Sequence, residues 1–304
     1  MKFLITGGTG LIGNRLTQYL IDKGHSVNIL TRNKTLNSLN HFIKYYFWDP
    51  SNFKIDSNCI DNVDVIINLA GKNVFSFWSE KTKKEILESR LNSVTTLIKL
   101  LKENKNTVKH FISSSATGIY ANNIKEIQDE FSEIKNQSFL ANVVMKWEKK
   151  VDELSELNMK VSKVRIGIVL SVDGGFLEKQ ILFNNLRFRP LINKGKQNIS
   201  WIHIDDVVRI FYFLVENSLE GVYNATSPNF STNLELTDKI ENLRKKYLIN
   251  ISTPSLFASI PFKILRIGDF FKEVVMFNSK VIPKKLVDKG FVFKFESLKK
   301  IMTF

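Results

Sequence analysis

The sequence predicts an α/β protein built on a doubly wound parallel sheet with a smaller, mostly helical C-terminal lobe, and three observations carry the prediction. Strand-like and helix-like stretches alternate over the first two-thirds of the chain. The segment Thr6-Gly7-Gly8-Thr9-Gly10-Leu11-Ile12-Gly13 separates a short apolar run from a helical pattern. Beyond Gly175 the alternation gives way to longer helical stretches. Strand-helix-strand repeats need right-handed crossovers, which lay helices on both faces of a parallel sheet.

Taken in order, Lys2 to Thr6 reads as a short buried strand. Leu11 to Lys23 carries Leu11, Ile12, Leu16 and Leu20 at helical spacing and stops at Gly24. Val27 to Thr31, Tyr45 to Trp48 and Val63 to Leu69 supply three more strands. A helical stretch over Ser79 to Lys105 leads to a fifth strand, His110 to Ser114. A helix over Asn142 to Leu157 leads to a sixth, Lys160 to Leu170. Phe176 to Arg189 then reads as helix, Ser200 to Ile204 as extended, and Asp206 to Glu216 as helix. Asn233 to Lys246 and Ser255 to Phe271 read as further helices, with Pro254 at a helix start and Pro261 at a kink. This divides the chain into a nucleotide-binding unit over 1–175, to which 200–228 returns, and a substrate lobe over 176–199 and 229–304 whose last segment has no assigned role. A crevice at the carboxyl ends of the strands is where such a sheet binds ligands.

Composition narrows the function classes. With 43% apolar and 24% charged residues the chain is globular. Its single cysteine, Cys59, excludes an internal disulfide and a cysteine-built zinc site. The most apolar late stretch, Phe257 to Phe277, is interrupted by Lys263, Arg266, Asp269, Lys272 and Glu273, so no membrane partner is expected. No signal peptide is legible, and the expectation is a cytoplasmic protein, or one imported after losing a presequence. The formal charge of +14 raises nucleic acid as a partner. But lysines alternate with acids, as in Glu80-Lys81-Thr82-Lys83-Lys84-Glu85, and no nucleic-acid module accompanies them, so none is expected.

The glycine loop has a specific chemistry. Gly7 permits a tight turn, Gly10 lets a pyrophosphate approach the backbone, and Gly13 lets the helix pack against the strand. The helix start then offers free N–H groups and its positive end to phosphate. About twenty residues on, an NAD-binding chain needs a carboxylate for the ribose 2′-hydroxyl. Here the residues are Leu30-Thr31-Arg32-Asn33. A guanidinium pairs with a 2′-phosphate and stacks on adenine, so Arg32 predicts NADP.

Asn68-Leu69-Ala70-Gly71-Lys72-Asn73, Ser113-Ser114-Ser115-Ala116-Thr117, Arg165 to Gly175 (R-I-G-I-V-L-S-V-D-G-G) and Trp201 to Asp206 (W-I-H-I-D-D) extend the pattern. So do Ser138 to Ala141 with Trp147-Glu148, Tyr223 to Pro228 and Val281 to Leu286. With these motifs the chain resembles the extended short-chain dehydrogenases/reductases, and more narrowly the atypical "epimerase family" (SulA-like) proteins, over nearly its whole length. The resemblance implies a Rossmann-type sheet with NADP laid across its edge. It places Thr31 and Arg32 at the adenosine phosphate, Asp49 near the adenine, and Leu69, Ala70 and Gly71 along the cofactor. Gly8, Thr9, Leu11, Ile12 and Ser113 complete the expected cofactor set, and Ile168 reaches the nicotinamide end. Lys72 faces the same crevice, where it binds an anionic group or stands as a solvated cation. Asp49-Pro50 also reads simply as the start of a turn.

Working members of that superfamily use a tyrosine and a lysine four residues later for proton exchange, with a serine orienting the substrate. Ser115 matches the serine. The place of the dyad holds Phe139-Leu140-Ala141-Asn142-Val143-Val144, with neither a tyrosine nor a lysine. Tyr120 is the remaining candidate acid, read either at the site mouth or as a wall residue. His203 reads as a base oriented by Asp205 or Asp206, or as a structural histidine with those residues capping the next helix. Asp173-Gly174-Gly175 reads as a turn, and no metal site is expected. Two functions remain in view: an NADP-dependent oxidoreductase or epimerase-like enzyme for a small polar substrate such as a nucleotide sugar, and a non-catalytic NADP-binding sensor or interaction protein.

Overall fold

The computed structural model describes residues 1–76, 78–122, 125–186, 188–244, 249–253, 268–270, 273–274 and 276–301. The first half runs β1 (Lys2–Thr6), α1 (Leu11–Asp22), β2 (Ser26–Thr31), β3 (Ile43–Asp49), β4 (Lys54–Ile55), β5 (Val65–Asn68), α2 (Glu80–Glu103), β6 (His110–Ala116), β7 (Ile127–Gln128) and α3 (Phe139–Asp152). It continues through β8 (Lys160–Ile166), β9 (Ile168–Ser171), α4 (Gly175–Asn185), β10 (Phe188–Ile192), β11 (Asn198–Ile199), β12 (Trp201–His203) and α5 (Ile204–Glu216). There follow β13 (Gly221–Ala225), β14 (Ser231–Thr232), α6 (Asn233–Arg244), β15 (Ile249–Thr253), β16 (Lys280–Val281), α7 (Lys284–Asp288) and a last helical turn at Leu298–Ile301.

The central sheet has the order β13-β8-β6-β5-β1-β2-β3-β4, and every pairing in it is parallel except that of β3 with β4. Alternation along each strand builds the two layers. Phe3 and Ile5 of β1 face Leu16 and Leu20 of α1 and Phe211 of α5, while Leu4 faces the other side with Val94 and Leu97 of α2 and Trp147 of α3. Each such side chain, once buried, contributes roughly 1.5–3 kcal/mol. Helix α1 ends against Gly24, whose φ of +78° a residue with a Cβ adopts poorly.

Three differences from the sequence reading have local causes. The strand expected over Lys160 to Leu170 breaks at Gly167, where a Cβ would stand 2.5 Å from the Ser200 carbonyl oxygen. There the chain leaves the central sheet, and β9 pairs with β12 instead. The helix expected to Arg189 ends at Asn185, and Phe188–Ile192 forms a strand parallel to β15, so the C-terminal part contains paired strands as well as helices. Gly221–Ala225 is a strand that the reading lacked; it pairs with β8 and closes that edge of the sheet. The helix expected over Ser255 to Phe271, with Pro254 and Pro261, lies outside the described residues except for a short turn at Gly268–Phe270.

The chain after β16 straps the body. Asp206, fully buried at the start of α5, accepts the N–H groups of Lys294 (3.0 Å) and Phe295 (2.8 Å) and pairs with Arg209. No described helix is long and apolar enough to cross a membrane.

Candidate functional site

The carboxyl ends of β8, β6, β5, β1 and β2 lie side by side along one edge of the sheet, where the crevice is expected, and the glycine loop leaves β1 at that edge. Gly7 has a φ of +67°, and a Cβ there would lie 3.0 Å from the Leu69 carbonyl. A Cβ on Gly13 would fall 2.2 Å from the Gly7 oxygen, so only glycine lets α1 approach β1 this closely. Gly8 packs downward instead, its missing Cβ 2.7 Å from Ile29. The first helical bond runs from Asn14 N–H to Gly10 O (2.8 Å), leaving the N–H groups of Leu11, Ile12 and Gly13 without an intrahelical acceptor. These groups form a backbone cradle that fits a phosphate.

Neighbouring turns frame the cradle. Thr6 Oγ1 accepts the N–H groups of Leu69 and Ala70, both at 3.1 Å, while donating to Asn68 Oδ1 at 2.7 Å. Ser93 also donates to Asn68 Oδ1, at 2.8 Å. Thr6 and Asn68 thus fix the Leu69–Gly71 turn, a role the sequence reading missed although both are polar residues ending buried strands. Gly174 and Gly175 lie against Leu11, and the turn they form opens α4. Thr31 is buried at the end of β2 and Arg32 is exposed immediately after it. Ile168 donates its N–H to the Ser200 carbonyl at 2.9 Å as β9 begins.

Three expected residues have partners within the chain. Asp49 caps a turn, accepting the Ser51 N–H at 3.1 Å and the Asn52 amide at 2.7 Å, and that amide chiefly holds its carboxyl below the usual range. Lys72 pairs with Glu85 of α2, whose carboxyl it holds down. Ser113 is fully buried, accepting from the Asn68 amide at 3.3 Å within the sheet.

Ser115 and Tyr120 belong to one buried polar chain. Ser115 Oγ donates to Glu148 Oε1 at 2.5 Å, and Arg165 clamps both oxygens of that carboxylate at 2.8 Å each. Arg165 Nη1 also donates to the Tyr120 hydroxyl (3.0 Å), which donates in turn to Asn224 Oδ1 (2.8 Å). Burial opposes the charge on Arg165, but Glu148 outweighs it and holds the guanidinium above its ordinary value. Tyr120 is 0% exposed, as the wall-residue alternative expects, and burial pushes its phenol up. Glu148 and Arg165 escaped the sequence reading; the available signal was a carboxylate on the apolar face of α3 and an arginine inside a buried strand.

At the start of α3, where the resemblance leads one to expect the dyad, the side chains of Phe139, Leu140 and Val144 have mostly apolar neighbours. Phe139 and Leu140 pack with Trp78, Phe270 and Val274, and Val144 is buried with Ile119, Tyr120 and Val281. Ser138 caps Ala141 (3.2 Å), and the Glu273 carboxylate accepts the N–H groups of Phe139 (3.0 Å) and Leu140 (2.8 Å). His203 is itself the cap of α5, accepting the Asp205 N–H at 3.2 Å while its ring lies 3.7 Å from that of Phe295. Burial lowers its pKa against the opposing pull of Asp205, whose carboxylate stands 3.9 Å from His203 Nδ1 and also accepts from Arg15 at 2.7 Å.

The strand order and the glycine cradle define a Rossmann-type α/β protein. The sequence profile of the NAD dependent epimerase/dehydratase family matches residues 3–226, and the chain belongs to that family. It is 30% identical over 299 residues to the Bacillus subtilis (strain 168) epimerase family protein YfhF, covering 98% of this chain and 95% of that one. Among solved structures it is similar to the human epimerase family protein SDR39U1 (isoform 2) with NADPH, at 26% identity and a TM-score of 0.81 over 98% and 96% of the two chains. It is also similar to a nucleoside-diphosphate sugar epimerase from Corynebacterium glutamicum, at 28% identity and a TM-score of 0.74 over 98% of this chain and 56% of that one.

Proposed function

We propose that the protein binds NADP(H) across the crevice and acts as an oxidoreductase or epimerase-like enzyme on a small polar substrate of the nucleotide-sugar class. The observation that carries the reading is the cradle of Gly7, Gly10 and Gly13 at the start of α1, which seats a pyrophosphate on three free N–H groups. Arg32 and Thr31 take the 2′-phosphate, Asp49 lies toward the adenine, Leu69 to Gly71 run along the dinucleotide, and Ile168 reaches the nicotinamide. The bound cofactor supplies hydride transfer. The described residues of 176–199 and 229–253 supply the lobe over the substrate. The NADPH of the human relative and the name of the Corynebacterium one support the cofactor and substrate class.

A second reading, a non-catalytic NADP(H) sensor or interaction protein, draws on the other end of the crevice. Ser115 and Tyr120 are engaged with Glu148, Arg165 and Asn224, and no titratable side chain lies at Phe139, Leu140 or Val144. NADPH titration combined with hydride turnover over a panel of carbonyl compounds and nucleotide sugars separates the two. Turnover that falls in Ser115→Ala supports the enzyme. Tight NADPH binding without turnover across the panel supports the sensor, and failure of NADPH to bind overturns both.

A further inference from the structure

Among the described residues Arg90 is a cation without a carboxylate partner. It lies within α2, and its guanidinium fills the space under the Gly71 turn, where a Cβ would stand 3.1 Å from Cζ and 3.3 Å from Nη2. Nη1 donates to the carbonyl oxygens of Lys72 (3.1 Å) and Ile86 (2.9 Å), and Cζ lies 5.2 Å from the centroid of the Trp147 ring. Carboxylates near it in sequence or along α3 are engaged elsewhere. Glu85 holds Lys72, Glu88 holds Lys84, and Glu148 holds Arg165 and Ser115. Among the described residues none pairs with Arg90, and burial alone lowers its pKa to about 10. Arg165 is the contrast within the same molecule, gripped by Glu148 and raised.

Arg90 is half-buried, and a charge partly withdrawn from water is ordinarily paired, because desolvation penalises an ion that lacks a counter-charge. A second donor is unmet beside it: the indole N–H of Trp147, 4% exposed, has no acceptor. The other assigned indoles are satisfied, Trp78 by the Val74 carbonyl and Trp201 by Ser231. A guanidinium bonded to carbonyl oxygens but to no carboxylate among the described residues, over an indole whose N–H is unmet and under the Gly71 turn, calls for an acceptor carrying negative charge.

We infer that Arg90, with Trp147 beside it, is an anion receptor at the edge of the crevice, whose counter-charge is a phosphate or carboxylate oxygen of a bound ligand. Its place beside that ligand rests on the crevice reading given above. The oxygen comes from a phosphate of the cofactor or from an anionic group on the substrate, and the two sources differ in when the receptor is filled.

The test follows the indole N–H resonance of Trp147 and the Nε–H resonance of Arg90 in ¹⁵N-labelled protein. Sodium phosphate titrated at constant ionic strength is expected to move both saturably, leaving Trp78 and Trp201 in place. Arg90→Met is expected to weaken phosphate binding roughly ten- to hundredfold, the loss of a charge-assisted hydrogen bond, while Arg90→Lys retains part of it. Unchanged indole resonances of Trp78 and Trp201 report an intact fold in each variant. If NADPH moves the two resonances and then silences phosphate, the receptor takes a cofactor phosphate. If phosphate still moves them in NADPH-saturated protein, it takes the substrate's anion. Resonances indifferent to both phosphate and NADPH, or unchanged phosphate affinity in Arg90→Met, overturn the inference. NADPH affinity, read separately by nicotinamide fluorescence, tests the crevice reading: phosphate that shifts the resonances in a protein unable to bind NADPH leaves the receptor standing and removes the cofactor.

Discussion

At the glycine end of the crevice the backbone makes the surface, whereas at the α3 end side chains fill it. Gly7, Gly10 and Gly13 let the loop pack tightly against the Leu69 carbonyl and its own backbone because they have no Cβ, and the N–H groups left without an intrahelical acceptor there belong to the main chain. At the other end Ser115, Tyr120, Glu148, Arg165 and Asn224 satisfy one another, while Phe139, Leu140 and Val144 pack against aromatic and aliphatic neighbours. The first end is built to receive something. The second spends its polar groups on its own stability, which shows that a recognisable serine or tyrosine is no guide to chemistry until its partners are known.

Five changes break or sharpen that contrast. Gly13→Val puts a side chain where even a Cβ lies 2.2 Å from Gly7 O, so α1 must leave β1. Loss of detectable NADPH binding and a steep fall in thermal midpoint are expected; normal NADPH titration would refute the cradle. Glu148→Gln leaves Arg165 buried without its counter-ion and should cost about 3–5 kcal/mol in urea unfolding. A loss below 1 kcal/mol would show that the pair is not the anchor of this end.

The strand that delivers Ser115 also carries His110, whose pKa burial lowers from 6.5 to about 4. The folded state therefore binds fewer protons than the unfolded chain between those values, and stability falls as pH drops from 6.5 toward 4. The slope is roughly 1.4 kcal/mol per pH unit, measurable by urea unfolding, and should flatten in His110→Gln. Tyr120→Phe strips partners from Asn224 Oδ1 and Arg165 Nη1, a loss of about 1–3 kcal/mol with NADPH affinity unchanged. If Tyr120→Phe instead abolishes turnover without loss of stability, the hydroxyl serves the reaction. Arg32→Ala should weaken NADPH roughly tenfold, about 1.4 kcal/mol, and leave NADH untouched. Equal effects on both cofactors would remove the 2′-phosphate assignment.

Much of the frame was legible before folding. Apolar alternation marked β1, β2, β5 and β6, and the glycine spacing located the turn into α1, because both depend on neighbours in sequence. What escaped depended on partners far along the chain. The break at Gly167 answers to Ser200, the edge strand β13 to β8, and the fate of Lys72 to Glu85. His203 was read with the aspartates as caps, but the imidazole is the cap and Asp206 instead binds the strap at Lys294 and Phe295.

The sequence by itself determined the parallel α/β architecture, the glycine cradle and the family, since local periodicity and backbone-permissive residues are written in consecutive positions. Only the tertiary structure decided which polar side chains are spent and which are free. That question turns on hydrogen bonds between residues as distant as Tyr120 and Asn224, and on burial that makes an unpaired charge expensive. By that criterion Tyr120 is occupied, Lys72 is occupied, and Arg90 is left waiting for an anion.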